Sequence, residues 1–145
     1  MNLQVTQAMF GVRIPVTKPI PEFLIEMGEE GIRKLVSNHY DKLKVSEISN
    51  LFPLDDVEFE EAKKHSSDFF IQICGGRPHF NENRGAPQMV GRHSPFRITG
   101  EARKVWLELY KPLILELKEN NITETSLQSF WNYLDVFSSW MINTK

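Results

Sequence analysis

This sequence predicts an all-α domain, and three observations carry that expectation. Apolar residues recur at three- and four-residue steps in each long stretch after residue 20, capping and stop residues bracket those stretches, and no alternating run or turn dipeptide marks a strand pair. A chain of 145 residues can bury one sizeable core but not two. The reading is therefore an N-terminal extension over 1–19 followed by one helical domain over 20–145.

Residues 1–19 mix polar and β-branched residues with Pro15 and Pro19 and show no period, so they read as an extended arm without a catalytic role. From Pro21 the pattern turns helical, with Ile32, Leu35, Val36, Tyr40 and Leu43 on one face and Gly28 dividing a short helix from a longer one. A second helix is expected from about Glu58 to Cys74, with Phe59, Ala62, Phe69, Phe70 and Ile73 on its apolar face and Gly75-Gly76 as its stop. His65 and Ser66 interrupt that face. The turn they occupy faces either water or something that needs a hydrogen bond.

Residues 75–98 carry four glycines and three prolines with little periodicity, and read as one long irregular loop. A loop of that length inside a compact domain is usually functional or disordered; Phe80, Met89, Val90, Phe96 and Ile98 give it apolar surface to bury and argue against disorder. Thr99 can cap a third long helix with Ala102, Val105, Trp106, Leu109 and Leu113 on its face, kinked or broken by Pro112. Asn121 with Glu124 reads as the capping box of a last helix, whose face is Leu127, Phe130, Trp131, Leu134, Phe137 and Met141.

Hydrophobic residues make up 41% of the chain and charged residues 25%, with a formal net charge of −2 and a pI near 6.1. That balance describes a soluble globular protein and gives no electrostatic reason to bind nucleic acid or an acidic membrane. Apolar runs do not exceed four residues, so no membrane span is expected. The start MNLQVTQAMFGVR lacks the basic-then-apolar order of a secretory signal, and the expected location is the cytoplasm. Cys74 is the single cysteine, which excludes an intrachain disulfide and a cysteine-based zinc or iron–sulfur site. A bound metal must use histidines or carboxylates, or arrive inside a cofactor.

Four histidines are then the candidates: His39 beside Tyr40, His65 beside Ser66, His79 in the Gly/Pro-rich segment, and His93 near its end. None has zinc-motif spacing, although two helices could bring His39 and His65 together. His93 stands out by its frame, Arg92-His93-Ser94-Pro95-Phe96, in which Pro95 restricts Ser94 and helps fix the chain just after the histidine. A rigid turn holding one imidazole suits a single axial bond. Haem iron accepts a neutral histidine nitrogen, an adjacent arginine can pair with a propionate, and aromatics such as Phe96 cover the flat macrocycle. A histidine in a loop is nonetheless more often a surface or capping residue. Tyr40 and Trp106 likewise lie on apolar faces, where such residues ordinarily pack in a core with their polar atom satisfied elsewhere.

Several motifs together point further: Leu51-Phe52-Pro53 followed by Asp55-Asp56, Gly75-Gly76-x-Pro78, Asn83-Arg84-Gly85-x-Pro87, Arg92-His93-Ser94-Pro95-Phe96-Arg97-Ile98, and Trp106-Leu107. In order and spacing, over roughly residues 22–142, the chain resembles the truncated haemoglobins, and their second group in particular. The resemblance implies a shortened globin fold, a two-over-two helical sandwich around a b-type haem. It makes His93 the proximal iron ligand, sets Phe52 against the haem edge, and turns Arg92 to a propionate. Phe69, Phe70, Phe80, Met89 and Phe96 become the apolar walls. Tyr40 and Trp106 fall at distal positions whose O–H and N–H can donate to a diatomic ligand.

The chain departs from the family pattern at three places. His39 replaces the phenylalanine usual before the distal tyrosine, Ala86 replaces a histidine often found before the proline, and about two residues are added between Phe52 and the next helix. Counting back from Gly75-Gly76 places Ala62 at the pocket entrance and Ser66 deeper over the iron; a slip in register puts His65 there instead. The function implied is reversible binding of O2 or another diatomic ligand such as NO or CO. The alternatives are a haem enzyme of NO-dioxygenase or peroxidase-like type served by a reductase, and, from another class, a cofactor-free helical interaction module.

Overall fold

The structure, a computed structural model, describes residues 1–145 and contains helices and turns but no strand. Its helices are α1 (Pro21–Lys44), α2 (Asp56–Ile73), α3 (His79–Arg84), α4 (Met89–His93), α5 (Gly100–Glu108), α6 (Lys111–Glu119) and α7 (Glu124–Ser139), with a 3₁₀ turn at Ser49–Leu51. α1 packs on α2, α5 packs on α6 and α7, and α1 joins the two layers through α6 and α7. This is the two-over-two arrangement that the resemblance implies. No helix is long and apolar enough to cross a membrane.

Local chemistry explains most boundaries. Pro21 sits at the start of α1, where a missing N–H leaves no bond unmade. Gly28 interrupts α1 as expected, at φ 69° and ψ 166°, a conformation that strains any side chain. α2 begins two residues before the expected Glu58 because the Asp55 carboxylate accepts the Glu58 N–H at 3.0 Å and so caps the helix. It stops at the two glycines as expected: Gly75 turns the chain at φ 96°, and a Cβ on Gly76 would lie 2.7 Å from Ile71 Cγ2 and 2.9 Å from the Ile71 carbonyl oxygen.

Two expectations are corrected. Residues 75–98 are not one irregular loop but hold α3 and α4, helices of six and five residues, which are too short to display a period. The cap of α7 is Thr123, not Asn121: the Thr123 hydroxyl accepts the Ser126 N–H, while Asn121 adopts φ 72° in the turn that leaves α6. The returning carboxylate of a capping box comes from another helix. Glu26 of α1 accepts from the Thr123 N–H at 2.8 Å, from its hydroxyl at 2.9 Å and from the Ser126 hydroxyl, bonds that hold its carboxyl below the usual range. The break at Pro112 falls as expected, between α5 and α6, since proline has no N–H to return to the Glu108 carbonyl.

The arm forms no helix, yet it is tied down. Met1, Asn2, Gln4 and Thr6 meet Glu124, Gln128, Trp131 and Asp135 in turn along α7. The register follows from geometry: five extended steps at about 3.3 Å and eleven helical steps at about 1.5 Å both cover about 16 Å. At the end of that run the buried Arg103 guanidinium donates to the Thr6 carbonyl at 2.8 Å and pairs with Asp135 at 2.8 Å.

Candidate functional site

Between the two layers, and closed on one side by α3, α4 and the turn after them, lies a mainly apolar cavity of about 480 Å³. That volume is typical of a site that buries a cofactor-sized ligand. Phe52, Phe69, Phe70, Phe80, Met89, Arg92, His93 and Phe96 line it, and so do Tyr40, Ala62, Ser66 and Trp106. Residues from six separate stretches of the sequence thus line one cavity.

His93 is the last residue of α4, and its ring is fixed by its own helix. Nδ1 donates to the Met89 carbonyl at 2.7 Å. A carbonyl can only accept, so Nδ1 carries a proton, and in the neutral imidazole Nε2 is the nitrogen with the free lone pair, on a residue that borders the cavity. The expected role of Pro95 is corrected: Ser94 keeps helical angles, φ −58° and ψ −30°, so it is the helix and the Met89 bond that set the ring. The chain beyond is pinned from the C-terminus, where Asn143 Nδ2 donates to the Phe96 carbonyl at 2.8 Å and the Asn143 side chain accepts the Ile98 N–H at 2.9 Å.

Two further donors reach the cavity. The chain has three tryptophans. Trp131 and Trp140 spend their indole N–H groups on the carbonyls of Gln4 and Ile14, at 3.0 and 2.8 Å, whereas Trp106 borders the cavity with its N–H unspent. Tyr40 stands edge-on to Phe52 and Phe59, at centroid distances of 5.6 and 5.7 Å. Burial raises its pKa, a shift that the nearby Ser66 hydroxyl opposes only in part, so the phenol stays protonated.

Both His65 and Ser66 border the cavity. His65 Nδ1 is buried without a partner, and burial together with the nearby Arg84 charge lowers its pKa. His39 and His65 form no metal pair: His39 turns away to α5 and α6, with Nε2 donating to the Trp106 carbonyl at 2.9 Å and its ring stacked on Tyr110 at 3.5 Å. The chain holds no cluster of three or more His, Cys, Asp or Glu side chains able to bind a bare metal ion.

Arg92 borders the cavity, but most of its donors serve the loop. Nε bonds the Pro87 carbonyl at 2.6 Å, and Nη2 bonds those of Arg84 and Ala86, both at 3.1 Å. Arg84, which the sequence reading left without a role, also borders the cavity and has its guanidinium unpaired. Arg103, Tyr133, Glu58 and Glu61 are further wall residues that the reading missed. A charged residue inside an amphipathic helix reads as solvated, and Arg103 gives no sequence signal of the Asp135 carboxylate that permits its burial.

An imidazole with a free lone pair, apolar aromatic walls, unpaired N–H and O–H donors and a free guanidinium at one cavity fit the haem that the motifs imply. The comparisons with known proteins agree with the fold. The family model for bacterial-like globins matches residues 26–143. A group 2 truncated haemoglobin of Bacillus subtilis is 32% identical over 85 residues, covering 59% of this chain and 63% of that protein. The chain spans between 28% and 63% of the lengths of the curated relatives it matches. Among solved structures, phosphate-bound Hell's gate globin IV superposes with a TM-score of 0.83 at 35% identity, over 97% of this chain and 86% of that one. A truncated oxygen-avid haemoglobin from Bacillus subtilis does so at 0.74 and 26% identity, over 83% of this chain and 98% of that one.

Proposed function

The chain belongs to the bacterial-like globin family, and on that premise we propose that it holds a b-type haem in this cavity, through His93, and binds O2 reversibly. The observation that carries the reading is the Nδ1–Met89 bond, which fixes the ring and leaves His93 one nitrogen, Nε2, to offer a metal. Haem, when bound, supplies an iron with one coordination position left for a diatomic ligand.

The protein's own residues do the rest. Phe69, Phe70 and Phe80 exclude water, which strengthens every hydrogen bond made inside. Tyr40 and Trp106 offer donor protons to a ligand that gains negative charge, and Ser66 orients the tyrosine hydroxyl. Arg84, with Arg92 keeping its remaining nitrogen, supplies positive charge for the cofactor's carboxylates. Donors of this kind slow ligand escape, and the oxygen-avid Bacillus neighbour supports O2 as the ligand. In the same reading the protein works in the cytoplasm, and a reductase is its partner.

Haem reconstitution tests this directly. Purified protein mixed with haem and then desalted should keep a Soret band, and on reduction should bind O2 and CO reversibly. Protein that emerges colourless overturns the proposal.

A further inference from the structure

Where the family usually carries phenylalanine before the distal tyrosine, this chain carries His39, and the side chain is fully buried. Its surroundings explain what the imidazole gains over a phenyl ring. Pro112 ends α5 at Glu108, and the Tyr110 N–H turns back to the Leu107 carbonyl at 3.0 Å instead of the Trp106 carbonyl one turn away. The Trp106 carbonyl is thereby one of the orphans that every helix end leaves. His39 reaches across from α1 and satisfies it, Nε2–H to O at 2.9 Å. The same ring meets the Trp106 indole edge-on, with centroids 5.0 Å apart at 87°, while Tyr110 closes the far side by stacking on His39 at 3.5 Å and meeting Trp106 at 5.0 Å.

We propose that His39 is a positioning residue for Trp106: by capping the Trp106 carbonyl and bracing its indole, it fixes the one unspent indole N–H at the cavity wall. The inference rests on the haem reading for its functional consequence. Burial pushes the His39 pKa down to about 3, so the ring stays neutral over the whole working pH range, with Nε2–H as its one donor. Phenylalanine could brace the indole but could not donate to the carbonyl. Glutamine can place an amide N–H at a similar reach without the ring.

The test is a double-mutant cycle in the haem-loaded protein, with a second readout from the indole itself. His39→Phe should speed O2 release by about 2- to 13-fold, the range of one ordinary hydrogen bond, and shift the CO stretching frequency. His39→Gln should recover part of both. In a Trp106→Phe background, His39→Phe should change neither. Independently of haem, His39→Phe in ¹⁵N-tryptophan-labelled protein should move the Trp106 indole N–H resonance and leave those of Trp131 and Trp140 in place. An effect on O2 release that persists undiminished without Trp106, or an unmoved Trp106 resonance, overturns the proposal. Protein that takes up no haem would end the haem reading instead, and the indole measurement would still decide this one.

Discussion

His93 and His39 make the same hydrogen bond and are put to opposite uses. Each donates one ring N–H to a carbonyl, His93 to Met89 within its own short helix at 2.7 Å and His39 to Trp106 across the layers at 2.9 Å. The difference lies in the second nitrogen. His93 is partly exposed and borders the cavity with Nε2 free of any hydrogen bond; His39 is 0% exposed, and its Nδ1 is sealed among aromatic rings without a partner. A histidine's chemistry is therefore set less by its bonded nitrogen than by what the other one faces.

The largest expected effect falls on the open side. His93→Gly should lose haem on desalting, because no other imidazole on α4 can replace the axial nitrogen, and free imidazole should restore the Soret band. A variant that keeps the parent ferrous spectrum without added imidazole would remove His93 from the proximal position. Next comes Tyr40→Phe, which deletes a donor without opening a large cavity. A loss of roughly 1–3 kcal/mol corresponds to about 5- to 150-fold faster O2 dissociation if all of it appears in the off-rate. Stopped-flow displacement by CO measures it, and an unchanged rate returns Tyr40 to core packing.

The sealed side should show itself in acid. In the fold His39 takes up its proton only at about pH 3, against 6.5 for the ordinary group. Between those values the unfolded chain binds more protons than the native one, so stability falls as pH drops, by up to about 1.4 kcal/mol per pH unit for this single group. His39→Phe removes that contribution. Urea unfolding of both proteins at pH 7, 5 and 4 should show the difference between them moving steadily in favour of the variant as pH falls. A difference that stays constant would mean that His39 is not buried in its neutral form.

The smallest effects separate His65 from Ser66. Ser66→Ala should shift the CO stretch and alter O2 release by about threefold, by removing the hydroxyl that neighbours the Tyr40 phenol. His65→Ala should shift the CO stretch without that change in O2 release, since His65 has no bond to Tyr40. Two silent variants would place this turn of α2 outside the ligand's reach.

Much of the fold was legible because long amphipathic helices declare themselves by period. The faces of α1, α2, α5 and α7 could be read, as could the breaks at Gly28 and Pro112. α3 and α4 could not, since fewer than two turns show no period. The capping error at Asn121 has a related cause: the carboxylate that completes the Thr123 cap belongs to Glu26, nearly a hundred residues earlier in the chain. The rare residues of the 75–98 segment marked His93, Met89 and Arg92 as wall residues, but nothing local indicated that most of the Arg92 donors would be spent on the loop while Arg84 stays free.

The sequence by itself determined the class of structure, the order of its helices and the residue types that reach the cavity. The first two follow from apolar spacing and from backbone chemistry that acts within a few residues; the third came from the resemblance to the truncated haemoglobins. Only the tertiary structure decided which polar atoms are spent and which are left over. The Trp106 N–H is left over while Gln4 and Ile14 take up the other two indoles, and the Trp106 carbonyl needs His39 because the helix ends two residues later. Hydrogen-bond satisfaction is an accounting over the whole folded chain, and its remainders, which are the groups a ligand meets, exist only once distant segments have been brought together.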